Sequence, residues 1–294
     1  MPPSRTPLDF PSLAHTGSFP AASPAAVTLV TDDGVTLGGT RWLASGESRG
    51  VVLIAPAAGR RHRCYGAFAE YLSERGFEVL CWDWRGVGDS RPDASLRDPR
   101  LTLRAWGEQD LAAAIAWAGR RTSTGHIALV GHEFGGLALG LAPNAHLVDR
   151  AVFVDAAHGW IGHLPPPWRL RYALGYGLMV PLAAAVLGRW PLSWAGRGED
   201  LPAGVVRQWA RWSRRRRHLA TWEGHAAIDI PILSYSFGDR PLATRAACEA
   251  LHDEYRSATV RHEYHPRVGL GRFGFFEPGH VPSLWAELAA FLQE

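Results

Sequence analysis

The chain has 294 residues, 47% of them hydrophobic, and a net charge of +3. That length and apolar content permit a large buried core, as one big α/β domain or a domain with an insertion. The charge is too small to argue for a nucleic-acid partner.

In chain order, residues 1–25 are rich in Pro, Ser and Ala without a sustained apolar run. They read as a disordered lead-in, not a signal peptide. Asp32-Asp33-Gly34 is a turn signal between strands at Ala26–Val30 and Val35–Leu43. Val51–Ile54 is a short apolar strand running into Ala55-Pro56-Ala57-Ala58-Gly59. Residues 64–75 have helical spacing and end at Gly76, suited to a C-cap. Phe77–Trp82 is the next strand, residues 103–118 an amphipathic helix, and His126–Val130 and Ala151–Asp155 two more strands. The rhythm then breaks. Residues 157–228 hold proline, tryptophan and arginine with no clear strand and read as a helical cap. It resumes with Pro231–Ser236 (strand), Pro241–Tyr255 (helix), Thr259–Tyr264 (strand) and Pro282–Gln293 (helix). Strands alternating with helices predict an α/β fold with a mostly parallel sheet, its core made of 26–156 and 229–294.

Within this pattern Ile127–Gly140 organises the chain. An apolar strand meets Gly131-His132-Glu133-Phe134-Gly135-Gly136, and a small-residue helical run follows. This is the strand–turn–helix setting of a G-x-S-x-G nucleophile elbow, with Glu133 where serine would stand. A side chain is presented on so tight a turn only if its neighbours lack Cβ atoms.

The chain resembles an α/β-hydrolase, and more narrowly a poorly characterised bacterial group of predicted α/β-hydrolases. The matching stretches cover most of the chain after about residue 50. They are the Ala58-Gly59 turn with Tyr65 and Phe68 behind it, the DWRGVGDS segment (Asp83–Ser90), and the elbow. The cap stretch from Leu201-Pro202 to Trp212 and the run from Gly271 to Phe276 complete the set. The resemblance implies a triad in the order nucleophile, acid, histidine. Those positions fall on Glu133, on Asp239 just after a strand, and on Arg272. With neither a hydroxyl to attack nor an imidazole to take its proton, an ordinary serine esterase is disfavoured. The oxyanion hole implied by the resemblance uses the backbone N–H groups of Phe134 and Ala58, which do not depend on side-chain identity. An anionic Glu133 could itself occupy that hole.

Three readings of Glu133 stand. It is half of an ion pair with Arg272 that closes a silent binding site. It is a general base that removes a proton α to a carbonyl, as in an epimerase, cyclase or lyase. Or it is a covalent nucleophile, as aspartate is in related dehalogenases and epoxide hydrolases. The balance leans toward an enzyme of altered chemistry. Tyr65, His132 and His158 are possible pocket residues, although His132 beside the nucleophile position should point into the sheet. His163, His262, His265 and His280 are weaker candidates for a displaced base. The tryptophans of the cap (160, 168, 190, 194, 209, 212 and 222) suggest a hydrophobic small-molecule substrate. Arg214–Arg217 suggest a carrier-bound one, unless they only cap a helix end. There is no phosphate loop and no metal-ligand spacing, so no cofactor is expected. Leu178–Leu187 contains Pro181 and is too short to span a bilayer, so no membrane partner is expected either. Cys64, Cys81 and Cys248, scattered and odd in number, suit free thiols in a reducing cytoplasm.

Overall fold

The computed structural model describes residues 24–91, 96–196, 198–219 and 223–294, so the expected lead-in lies almost wholly outside the described residues, as does Trp222. The first two strands, β1 (Ala25–Val30) and β2 (Thr36–Trp42), form an antiparallel hairpin around the Asp33-Gly34 turn. β3 (Gly50–Ala55), β4 (Phe77–Trp82), β5 (Ile127–His132) and β6 (Arg150–Val154) follow. β3, β4 and β5 are buried along their whole length, which is why they read as unbroken apolar runs rather than alternations. Two two-residue strands, β7 (Arg189–Trp190) and β8 (Leu201–Pro202), pair inside the segment that reads as strand-free. β9 (Pro231–Phe237) and β10 (Thr259–His265) complete the main sheet, whose order is β1-β2-β4-β3-β5-β6-β9-β10.

β2 runs antiparallel to β4, and every pairing from β4 to β10 is parallel. Apolar clusters cover both faces. One gathers Trp82, Trp84, Trp106 and Phe134; the other Tyr65, Phe68, Phe276 and Trp285. The helix 103–119 is interrupted by a π turn at Trp106–Leu111. Gly76 stands at φ 87°, and its N–H donates to the Ser73 carbonyl, closing the helix Gly66–Ser73.

Strand order reverses at β3, which lies between β4 and β5. Carboxyl-end loops diverge at such a point and leave a crevice. Three of them, after β3, β5 and β6, meet there with the loop after β9. Between β6 and β9 the chain forms a mainly helical layer over this end. Its first helix runs over 166–186, with a π turn at Gly175–Met179, and packs Val180 and Ala184 against Val206 and Ala210 of the helix Ala203–Trp212. No described helix is long and apolar enough to cross a membrane.

Candidate functional site

The elbow is built by steric exclusion. A Cβ on Gly131 would sit 2.4 Å from the Gly136 nitrogen, and one on Gly135 would sit 2.1 Å from the Ala55 carbonyl oxygen. Only glycine allows β5, the turn and the following helix to close so tightly against β3. Glu133, between them, is held at φ 49° and ψ −108°, a strained conformation for an L-residue costing roughly 1–3 kcal/mol.

Its carboxylate is gripped by two arginines. Arg272 donates from Nε to Oε1 at 2.9 Å and from Nη2 to Oε2 at 2.7 Å. Arg240 donates from Nη2 to Oε1 at 2.8 Å. Arg272 also donates to the Ala58 carbonyl at 2.8 Å, tying the β3 loop to the clamp. Burial alone would raise the Glu133 carboxyl. The Arg272 charge and its hydrogen bonds, helped by Arg240, overcome that and hold it at about 2. Arg272 is raised in turn, chiefly by the charge of Glu133. The hydrogen bonds that the Glu133 carboxylate accepts among the described residues come from these guanidinium groups, not from the Phe134 or Ala58 amides. The carboxylate therefore faces the arginines, and the expectation that it fills the oxyanion position is corrected.

Asp239 is also placed differently from expectation. It lies on the loop after β9, but its Oδ2 accepts the Gly271 N–H at 2.6 Å. It braces the loop that carries Arg272 and does not join the carboxylate cluster. Arg240, the next residue, reaches Glu133 instead. The second carboxylate at the site is Asp155, just past β6 at φ 51°. Its Oδ1 accepts the Phe237 N–H at 3.2 Å, and its Oδ2 lies 3.5 Å from Arg240 Nε. Burial pushes the Asp155 carboxyl up to about 8, against the pull of Arg240 and with the charge of Glu133 adding to the rise, so it holds its proton far more tightly than an exposed aspartate does. Sequence reasoning missed both residues. Arg240 was signalled only by its place beside Asp239, and Asp155 only by closing an apolar strand.

Glu133, Asp155 and Arg240 border a cavity walled by Phe134, Trp160 and Trp209, with a volume of about 40 Å³. That holds no more than a few waters. His132 faces away from it. Its Nδ1 lies 2.8 Å from the Tyr65 hydroxyl, which accepts the Ala57 N–H at 2.9 Å. Burial lowers the His132 imidazole to about 3 and raises the Tyr65 phenol well above its usual range. Both belong to the packing behind the β3 loop, not to the pocket. His158 is likewise turned away. Its ring meets His218 at 4.5 Å and His163 at 5.6 Å, and burial lowers it to about 3. His262 bonds to Ser236 at 2.7 Å, His265 stacks on Phe237, and His280 is an exposed partner of Glu277. Arg214 donates to the Ala210 carbonyl at a helix end, and Arg216 lies over Trp160. Among the described residues, His62, Asp83 and Asp89 bring possible metal-ligand atoms within 4.8 Å of one another. Asp83 already accepts the His62 and Asp89 backbone N–H groups at 2.6 and 2.8 Å, so this group braces its loop.

A family model described as "alpha/beta hydrolase fold" matches residues 50–188. No curated protein sequence matches. Among solved structures, the chain is similar to DcsB in complex with its substrate analogue, with 15% identity, 92% of this chain and 98% of that chain covered, and a TM-score of 0.68. It is similar to a soluble variant of monoglyceride lipase from Saccharomyces cerevisiae, with 15% identity, coverage of 95% and 98%, and a TM-score of 0.66. It is also similar to an esterase from Exiguobacterium antarcticum, with 15% identity, coverage of 92% and 100%, and a TM-score of 0.61. At these identities the likeness shows the fold and leaves the chemistry to the site's own residues.

Proposed function

We propose that this chain, a member of the α/β-hydrolase superfamily, is a non-hydrolytic one that binds a small, largely hydrophobic carbonyl compound beside an ion-locked elbow. The observation that carries the reading is the clamp: Arg272 on both oxygens of Glu133 and Arg240 on one of them. A carboxylate held at about 2 is a poor base. Against a base matched to neutral pH it loses on the order of 7 kcal/mol of proton affinity. It is also a poor nucleophile, because both oxygens are committed. No histidine stands among the described residues that line the cavity to activate water against an ester. The apolar walls suit a hydrophobic ligand, and protonated Asp155 suits a carbonyl oxygen that needs a donor. Such a ligand requires the cap to shift, since a cavity of about 40 Å³ is too small for it.

One observation favours a second reading. Glu133 and Asp155 share Arg240, and their carboxyl groups are pushed apart to about 2 and about 8. Environments that separate two such groups are how acid and base roles are assigned. On this reading the chain is an enzyme in which Asp155, not Glu133, exchanges the proton α to a carbonyl, with the arginines facing the enolate charge.

The two readings part in heavy water. Carbonyl compounds that raise the melting temperature are incubated with the protein in D2O and followed by NMR. Binding without turnover expects no deuterium at the α carbon and no labelling of the protein by a fluorophosphonate probe. Deuterium uptake that disappears in Asp155→Asn would install the enzyme reading. A labelled serine would sink both.

A further inference from the structure

Arg211 and the arginine run 214–217 are exposed where the helix Ala203–Trp212 ends. Helix capping accounts for one of them. Arg214 donates from Nε to the Ala210 carbonyl at 2.9 Å, where a cation meets the carbonyl end of the helix dipole. The others have no such use. In positions 156–222 the acidic residues are Glu199 and Asp200. Both are paired elsewhere, Glu199 with Arg61 at 2.7 Å and Asp200 with Arg189 at 3.1 Å. Among the described residues no carboxylate stands within ion-pair distance of Arg211, Arg215, Arg216 or Arg217. Like charges set this close in the chain repel one another, so the patch suits an anion from outside.

The patch adjoins the cavity. The Arg216 guanidinium lies 5.7 Å over the ring of Trp160, and Trp160 is one of the cavity's walls. The Ile161 N–H donates to the Ser213 carbonyl at 2.9 Å, which fastens the loop carrying Trp160 to the helix end carrying the arginines. Trp209, a second wall, stands on the last turn of that same helix. A ligand that passes the Trp160 indole therefore meets apolar walls on one side and guanidinium groups on the other. The planar fork of donors on a guanidinium matches a phosphate group. A nucleic-acid strand would make no use of the adjoining cavity, and the chain's net charge of +3 is small for such a partner.

We infer that Arg211 and the run 214–217 hold the phosphate end of a ligand whose hydrophobic carbonyl part enters the cavity. The substrate class is then a carbonyl compound carried as a thioester on a phosphate-bearing arm, either free coenzyme A or the same arm on a carrier protein. The inference rests on the carbonyl-binding reading of the cavity, and the two can fail separately.

The test is titration calorimetry of the full chain with octanoyl-coenzyme A, with coenzyme A alone, and with octanoyl-N-acetylcysteamine, which keeps the thioester and lacks every phosphate. Octanoyl-coenzyme A should bind about tenfold tighter than the phosphate-free thioester, and added salt should shrink that advantage. Arg215→Ser/Arg217→Ser should erase most of the advantage while leaving the melting curve and the binding of the phosphate-free thioester as in wild type. Arg120→Ser/Arg267→Ser removes the same charge from exposed positions outside the cap and should bind as wild type does. Octanoyl-phosphopantetheine separates the two sources: affinity equal to that of the coenzyme A thioester points to a carrier-borne arm, and weaker binding points to coenzyme A itself. Equal affinity of wild type for the thioesters with and without phosphate would overturn the inference. So would an equal loss in the two double variants, or a short single-stranded oligonucleotide bound more tightly than octanoyl-coenzyme A. Coenzyme A bound through the arginines with no gain from the acyl chain would instead sink the cavity reading and leave the phosphate site standing.

Discussion

Glu133 and Asp155 follow neighbouring strands, β5 and β6, and both are non-glycine residues at positive φ, 49° and 51°. They border one cavity and share one arginine. Yet one carboxyl group is held at about 2 and the other at about 8. Burial acts on both in the same direction. What differs is geometry. Glu133 receives three guanidinium N–H bonds of 2.7 to 2.9 Å. Asp155 receives one backbone N–H at 3.2 Å and a guanidinium nitrogen only at 3.5 Å. The longer glutamate side chain reaches into the fork of Arg272, and the shorter aspartate is left with desolvation uncompensated.

The comparison breaks most sharply at Arg272. Arg272→Met should remove the bidentate half of the clamp and destabilise the fold, by less than the about 3–5 kcal/mol lost on unpairing a fully buried ion pair, because a carboxylate with 20% of its side chain exposed loses its main partner. In a domain of this size each kcal/mol lowers the melting point by roughly 2–4 °C, so calorimetry reads it directly. A loss under about 1 kcal/mol would show that Arg240 alone can hold Glu133. Next in size is the rescue: Glu133→Gln/Arg272→Met should recover part of that loss, since the unpaired carboxylate is gone and only Arg240 is left without Glu133, and strong coupling in the cycle measures the pair.

The pH dependence sharpens the contrast, because the two carboxylates have opposite signs. The folded state holds Glu133 below its unfolded value, so its stabilisation is present above about pH 4.5 and is lost as pH falls toward 2. It holds Asp155 above its unfolded value, so the folded state binds the extra proton and stability falls as pH rises from about 4 to 8. Buried His132, His158, His218 and His225, all lowered by burial, add their own loss below about 6.5. The difference between wild type and variant isolates each carboxylate. Glu133→Gln should flatten the acid limb, and Asp155→Asn should flatten the slope between pH 4 and 8. The smallest expected effect lies behind the site. Tyr65→Phe leaves the Ala57 N–H and a His132 nitrogen unpartnered, a loss of about 1–3 kcal/mol, without changing the Glu133 slope.

Much of the fold was legible. β3, β4 and β5 stand out as apolar runs between glycine and proline signals because parallel strands buried on both faces need no polar alternation. The Gly131-x-Glu133-x-Gly135 spacing gave the elbow because the steric demand is local. The site was only partly legible. Arg272 could be placed only through the family resemblance, as the residue before Phe273-Gly274-Phe275-Phe276. Arg240 could not, because whether Asp239 or its neighbour turns inward depends on the loop bonded back to Gly271. Asp155 gave no signal of its own, since an aspartate closing a strand is as often an ordinary turn residue.

The sequence by itself determined what short-range sterics and periodicity can fix: the succession of strands along the chain and the tight elbow at Glu133; the reading of Glu133 and Arg272 as standing in serine and histidine positions is what the family resemblance implied. Only the tertiary structure decided which of the carboxylates and guanidiniums meet, and therefore which carboxyl group is charged. Charge state depends on distances of a few tenths of an ångström between loops that lie more than a hundred residues apart in the chain, as Glu133 and Arg240 do, and no local pattern encodes them.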